Sequence, residues 1–320
     1  MATILSTGPV GDIVREILAD HGELVFVPNP ELSTLIEMVA DAIALIVRGD
    51  VSIPREVIQA GKRLSVIGRT GVGYDNVDIA AASERKIPVI NTPGANSRAV
   101  AEAALAMIMA LVKQIPYWDQ QMKRGAWASR FATPNSDLDG ATLGILGLGS
   151  IGQMLAHFAA PFNMTLLAHD PHVDSRIAAR LGVQLVSLDD LFQQSNVISI
   201  HAALTADTRG LISGARLATM RPGSYLVNLA RGGLVESLDV ILAALKNGTL
   251  SGAGLDVFEP EPPDTSHPLF QHPRCLTAPH ALALTPGAMN RIYETMASDM
   301  AAVLSGGEAK NVVNRRQLMA

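Results

Sequence analysis

At 320 residues the chain is too long for one ordinary hydrophobic core and suits two domains of about 100–200 residues each. Hydrophobic residues make up 48% of it, ample for packed cores, which excludes an intrinsically disordered protein. A formal net charge of −5 with no long basic run leaves no electrostatic footprint for a nucleic-acid or anionic-membrane partner.

Near the N-terminus Gly8, Pro9 and Asp12 interrupt the apolar run, so no secretory signal is expected. The chain then alternates β-rich and helical runs. Strands are expected at 2–6, 24–27, 42–47, 64–67 and 89–91, and helices at 11–21, 32–40, 54–60 and 77–86. Such alternation implies a parallel sheet with helices on its faces. One long helical stretch is expected from 97 to about 125. Its most apolar part, 99–112, carries Glu102 and falls short of the roughly 20 residues that span a bilayer, so it reads as a buried helix between domains or subunits.

The alternation restarts with strands expected at 142–146, 165–169, 197–200, 224–228, 252–256 and 275–277. Cys275 has no neighbouring cysteine or metal-spaced histidine, so it reads as a buried, inert thiol in a reducing compartment, and no metal site is expected. A last helix, from 286 to about 305, lies beyond the second unit and is expected to pack back on the first. That gives a discontinuous domain of 1–97 and 286–320 around an inserted domain of 98–285. The tail beyond it is short and polar, with Arg315 and Arg316 read as solvated. The expected class is α/β, with two doubly wound parallel-sheet domains.

Gly147-Leu148-Gly149-Ser150-Ile151-Gly152 is a G-x-G-x-x-G run. Alone it is compatible with an ordinary loop. Here it follows the strand expected at 142–146 and opens a helix expected to begin near Gln153, and in that setting each glycine has a reason. The reasons are a tight turn, close backbone approach to a pyrophosphate, and close helix–sheet packing. The helix N-terminus offers free N–H groups and partial positive charge to the phosphates. Asp170, about 20 residues further on at the next strand end, would accept the adenosine ribose hydroxyls and repel a 2′-phosphate, favouring NAD over NADP. Arg176 nearby would blunt that preference.

Three later stretches each fall at an expected strand end: Asn228-Leu229-Ala230-Arg231-Gly232-Gly233, Gly254-Leu255-Asp256-Val257-Phe258-Glu259-Pro260-Glu261-Pro262, and Thr277-Ala278-Pro279-His280. Ligands of parallel α/β sheets bind at the carboxyl ends of strands, so an Arg, a Glu and a His delivered there converge on the nicotinamide. Together with Gly71-Val72-Gly73-Tyr74-Asp75-Asn76-Val77-Asp78 and Val100-Ala101-Glu102, these stretches closely resemble the D-isomer-specific 2-hydroxyacid dehydrogenases over nearly the whole chain.

The resemblance implies a Rossmann NAD-binding domain inserted in a flavodoxin-like substrate domain. It implies an NAD-dependent oxidoreductase moving a hydride between NAD(H) and a small anionic 2-keto or 2-hydroxy acid, as a cytoplasmic homodimer. The family's Arg, Glu and His fall on Arg231, Glu261 and His280. Gly147, Gly149, Ser150, Ile151, Gly152, Asp170, Ala230 and Asp256 fall on the cofactor side, with Asp256 at a position that bonds the nicotinamide carboxamide. Arg48 and the Val72 and Gly73 amides fall on the substrate side, beside Arg231.

Arg231, always charged and planar, suits a bidentate clamp on the substrate carboxylate. His280 suits proton exchange with the ketone or hydroxyl oxygen, and Glu261 would fix its tautomer. Glu259 competes with Glu261 on composition, and the family register alone favours Glu261. His201 is read as structural. Leu282 stands where the family has small residues and Ala203 where it commonly has Pro, so the choice of acid is not read from the resemblance. A regulatory amino-acid-binding domain, and serine feedback through it, is not expected. A phosphite-type anion is the alternative substrate class, formate being disfavoured because that branch would place Gln at Glu261. An NAD-binding transcriptional corepressor is the alternative from another class.

Overall fold

The computed structural model describes residues 1–49, 51–131 and 135–319. The chain divides into two compact units, 1–96 with 284–320, and 97–283.

In the first unit, short apolar runs form β1 (Thr3–Ser6), β2 (Glu23–Phe26), β3 (Ala42–Val47), β4 (Val66–Arg69) and β5 (Val89–Ile90). All pair in parallel in the order β2-β1-β3-β4-β5, the flavodoxin-like arrangement. β3 reads Ala-Ile-Ala-Leu-Ile-Val rather than alternating because helices cover both of its faces. On one face Leu5, Leu45 and Ile67 meet Leu35, Val57 and Ala81. On the other, Ile4, Ile46 and Val66 meet Val14, Leu18, Met296 and Met300, so the helix Pro286–Leu304 belongs to this core. β4 lies two residues later than expected: Leu64 is a buried residue of the preceding turn, and the strand runs on through Gly68, where the missing side chain leaves room for Met296 and Met300.

The tail departs from its polar reading. Asn314 is fully buried; its Oδ1 accepts the Val89 N–H at 2.9 Å and its Nδ2 donates to the Ile87 carbonyl at 2.9 Å. Arg316 is exposed as expected, and Arg315, 37% exposed, also donates to the nearby Ala309 and Lys310 carbonyls. A compositional reading misses the Asn314 contacts because the partners lie more than 200 residues away in sequence.

The second unit holds β6 (Thr142–Leu146), β7 (Thr165–His169), β8 (Val183–Leu185), β9 (Val197–Ile200), β10 (Ser224–Asn228), β11 (Leu250–Leu255) and β12 (Cys275–Thr277). They form one sheet ordered β12-β11-β10-β9-β6-β7-β8, parallel at every recorded pairing. This is the doubly wound dinucleotide-binding order extended by one strand, with its switch point between β6 and β9. β8, three residues long, is too short to show a period, and the sequence pattern passes over it.

The expected long helix is broken. Ser97–Val112 ends at a turn where Gln114 takes a left-handed φ of 50°, and Ile115–Lys123 leaves at 56° to it. The first of these helices packs in the core of its own unit, where Ala101, Ala104, Ile108 and Leu111 meet Leu155, Ala156 and Val227. Small alanines on both sides let it lie close against the helix Ser150–Ala159. Among the described residues no single helix is long and apolar enough to cross a membrane.

Replacing Asn314 with Ala strands the buried Val89 N–H and the Ile87 carbonyl. The expected loss is about 1–3 kcal/mol, read as a lower denaturation midpoint with unchanged slope, and unchanged stability would refute the assignment.

Candidate active site

The glycine loop leaves β6 at Leu146 and enters the helix Ser150–Ala159, which begins three residues before the expected start near Gln153. Gly147 has φ 93°, and a Cβ there would come within 2.7 Å of the Ala202 backbone nitrogen, so neither conformation nor space admits a side chain. Gly152 lies inside the helix, where a Cβ would overlap the Gly147 carbonyl and reach Ile145 at 3.0 Å. Gly149 differs: a Cβ there would meet nothing within 4 Å. The two outer glycines therefore let backbone pack on backbone, while the middle one faces open space at a helix N-terminus beside Ser150 and Ile151. That is the arrangement a pyrophosphate requires, and the residues present fit a dinucleotide.

Asp170 follows β7 by one residue. Its Oδ2 accepts the Leu148 N–H at 2.8 Å and its Oδ1 accepts the His172 N–H at 2.9 Å. The carboxylate thus braces the glycine loop as well as standing at the position expected to read the ribose. The Ser97 hydroxyl donates to the Ser150 hydroxyl at 3.0 Å, tying the loop's helix to its neighbour.

The other cluster stands at the carboxyl ends of β10, β11 and β12, which are adjacent. After β10, buried Asn228 shapes the turn: its Oδ1 accepts the Ala230 N–H at 3.0 Å and its Nδ2 donates to the Arg231 carbonyl at 2.8 Å. Arg231 follows with extended backbone, and its Nη1 donates to the Ala230 carbonyl at 2.8 Å. After β11, the Glu261 carboxylate accepts the Phe258 N–H at 2.8 Å through Oε1 and faces His280 Nδ1 at 2.8 Å through Oε2. Glu261 is 16% exposed and His280 41%, so the carboxylate is the buried partner and the ring reaches outward. Glu259 is engaged elsewhere, with Arg209 Nη1 at 2.8 Å from both of its oxygens. Geometry therefore separates two glutamates that composition leaves equivalent.

His280 has φ 53°, a left-handed conformation uncommon for a residue with a side chain. The loop after it is held by Asp256, whose Oδ1 accepts the Ala281 N–H at 3.0 Å and whose Oδ2 lies 3.4 Å from the Leu282 nitrogen. Burial pushes the Asp256 carboxyl up, opposed by the Ala281 N–H bond. Asp256 and Asn228 thus fix the turns that carry His280 and Arg231. The sequence reading set a cofactor contact for Asp256 above the alternative of a strand-end cap, and gave Asn228 no role. The signal within reach was a buried-type polar residue directly at a strand end. Leu282, the departure from the family pattern, is 38% exposed beside this loop.

His201 agrees with its structural reading: desolvation pushes its imidazole down to about 4, and its Nε2 lies 2.8 Å from the Ser199 hydroxyl. Burial pushes the Cys275 thiol up to about 12, which makes it inert. Among the described residues no group of three or more His, Cys, Asp or Glu is arranged to hold a metal.

In the first unit Arg48 directly follows β3, and its guanidinium donates to the Pro9 carbonyl. Val72 and Gly73 lie in the loop after β4; Val72 accepts a bond from Asn91 Nδ2 at 2.8 Å through its carbonyl.

With this geometry in hand, the comparisons with known proteins agree on one class. The family model for the D-isomer specific 2-hydroxyacid dehydrogenase NAD-binding domain matches residues 105–281, more than half of the chain, and the protein belongs to that family. The D-3-phosphoglycerate dehydrogenase of Methanocaldococcus jannaschii is 37% identical over 315 residues, which is 98% of this chain and 60% of that one. The chain thus spans about three fifths of that curated relative's length. Among solved structures, a glyoxylate reductase from Paecilomyes thermophila matches with a TM-score of 0.90 at 29% identity, covering 98% of this chain and 99% of that one. A D-lactate dehydrogenase from Aquifex aeolicus, complexed with NAD and lactic acid, matches with a TM-score of 0.87 at 27% identity, covering 95% and 96%.

The glycine loop yields a paired test. Gly149→Ala is expected to leave the thermal midpoint within the range of a surface substitution, about 0.5 kcal/mol, while weakening NADH binding at least tenfold by fluorescence titration. Gly152→Ala is expected to destabilise the unit itself, by about 1–3 kcal/mol of overpacking. Equal stability in both variants would contradict the division of roles.

Proposed function

We propose that the protein is an NAD-dependent D-2-hydroxyacid dehydrogenase, interconverting a small 2-keto acid and its 2-hydroxy acid. The observation that carries this reading is the 2.8 Å pairing of His280 Nδ1 with the buried Glu261 carboxylate, at the strand ends that also deliver Arg231. A carboxylate on Nδ1 fixes the tautomer, leaves Nε2 for the substrate and favours the protonated ring. Arg231 clamps the substrate carboxylate and polarises the adjacent ketone. Val72, Gly73 and Arg48 carry further contacts to that carboxylate.

The glycine loop, with Ala230 and Asp256, would hold NAD(H), which would supply or accept the hydride. In reduction His280 Nε2 gives its proton to the carbonyl oxygen as the carbonyl carbon gains the hydride, so ketone becomes hydroxyl. In oxidation the neutral ring takes the hydroxyl proton back. Asp170 makes NAD the preferred cofactor over NADP, because a carboxylate repels a 2′-phosphate. By their names, the three proteins compared above act on 3-phosphoglycerate, glyoxylate and lactate, while a further structural neighbour, at 29% identity, is a formate dehydrogenase. Leu282 stands where the family pattern has a small residue, so the resemblance does not choose among these acids.

We also propose a homodimer, in a reducing, cytoplasmic setting consistent with a lone inert thiol. The buried residues of the apolar helix serve its own unit, so the interface expected on that helix and its continuation has its exposed apolar residues in the continuation. There Ile115, Met122, Trp127 and Phe131 are 55–83% exposed, with Arg130 stacked on both aromatic rings. An apolar hollow of about 270 Å³ lined by Leu111, Pro116, Tyr117 and Leu276 lies on the same unit. Protruding aromatics and a hollow on one unit suit a two-fold, self-complementary interface.

Following NADH oxidation against glyoxylate, hydroxypyruvate, pyruvate and phenylpyruvate tests the reaction. Turnover is expected to fall a hundredfold or more in Arg231→Ala, about 3 kcal/mol of lost electrostatic stabilisation. Glu261→Gln is expected to move the alkaline fall of reduction to lower pH, since the imidazolium loses its carboxylate. An unchanged pH profile would remove Glu261 from its role. For the interface, light scattering is expected to give twice the chain mass for the wild type and a single chain mass for Trp127→Asp with Phe131→Asp. A wild-type monomer would end that part of the reading.

A further inference from the structure

The start of the loop that carries Glu261 borders an open cleft of about 360 Å³, lined by Gly210, Gly232, Gly233, Leu255, Phe258 and the Arg209–Glu259 pair. Arg209 belongs to the chain after β9 and Glu259 to the loop after β11, so their bond reaches across the turn that follows β10. The pair lies directly on that turn: a Cβ on Gly233 would overlap Glu259 Oε2 and stand 3.0 Å from Arg209 Nη1. A Cβ on Gly232 would overlap the Phe258 carbonyl group, so the two loops touch backbone to backbone. Phe258 is the residue whose N–H holds Glu261 Oε1 at 2.8 Å.

We propose that Arg209 and Glu259 are positioning residues: their ion pair clamps the β11 loop over the Arg231 turn and thereby holds Glu261 in register with His280. Neither acts on the reacting atoms. Glu261 faces His280 in direct contact, and Asp256 carries the backbone that follows the ring. Val257 and Phe258 anchor the start of the loop in the core, and the bond from the chain after β9 adds a constraint further along it, at Glu259. The pair is about half exposed, so its effect is that of a surface ion pair, a factor of about two to five.

The inference rests on the proposed acid–base role of His280, but its test does not. The imidazole of His280, assigned with His280→Asn, is titrated by NMR in the whole protein for wild type, Arg209→Gln, Glu259→Gln, Arg209→Lys and the reversed pair Arg209→Glu with Glu259→Arg. Arg209→Gln is the decisive variant. Removing a positive charge would by simple electrostatics raise the titration midpoint, whereas losing the position of Glu261 lowers it. The expected fall is about 0.3–0.7 pH units, a two- to fivefold change in the protonation equilibrium. Arg209→Lys and the reversed pair are expected to restore the wild-type midpoint. In turnover assays kcat is expected to fall by the same factor while KM for NADH stays unchanged.

A raised or unchanged midpoint in folded Arg209→Gln overturns the clamp. Should that variant unfold, Glu259→Asp, which shortens the arm and keeps the charge, carries the same expectation with a smaller fall, and an unmoved midpoint overturns the clamp equally. A wild type that reduces no 2-keto acid overturns the proposed reaction alone, because the titration still reads the clamp.

Discussion

In a parallel sheet every strand presents its carboxyl end to the same edge, and residues far apart in sequence are delivered there together. In 97–283 that constraint brings Arg231, Asp256, Glu261 and His280 to the ends of three neighbouring strands, and the glycine loop and Asp170 to the ends of two more. The pairing is fixed by register, such as Val227 against Gly254 and Gly254 against Leu276, and by core residues on both faces. A shift of one residue would turn each strand's buried set to the opposite face, so the chemistry at the edge inherits its precision from the core.

What the strands deliver, buried polar groups then aim. Asn228 holds the turn of Arg231, Asp256 the loop of His280, Asp170 the glycine loop, and Glu261 the backbone of its own loop before it reaches the histidine. In each case a side chain satisfies a backbone N–H or carbonyl that the turn leaves without a regular partner, which makes the loop conformation costly to leave. The same economy appears in the first unit, where Asn314 replaces a missing strand partner for Val89. Such groups serve position more than reaction, and a motif search weighted toward chemistry overlooks them.

The site was legible in the sequence to the extent that its spacing is local. The glycine run and Asp170 lie within one strand–helix–strand unit, and the structure gives each glycine a distinct steric reason. The choice of Glu261 over Glu259 was not legible from composition, because two glutamates in one Glu-Pro-Glu-Pro loop differ only in what each faces. The structure resolves it by giving Glu259 to Arg209, some 50 residues earlier, and Glu261 to His280. The break after Val112 was hidden for another reason: the residues on either side form good helix, and the left-handed Gln114 leaves no compositional mark.

By itself the sequence determined the α/β class, the alternation that makes both sheets parallel, the dinucleotide loop and the residue types that stand at the strand ends. Each follows from periodicity or from a motif whose parts interact within about 30 residues, so short-range physics suffices. Only the tertiary structure decided which glutamate meets the histidine, that Asp256 and Asn228 brace the loops, that the tail closes the edge of the first sheet, and that Arg209 pairs with Glu259 across the turn after β10. Those are contacts between segments joined only by the packing of the sheet. Their partners are selected by distance in space, which no local pattern of residues encodes.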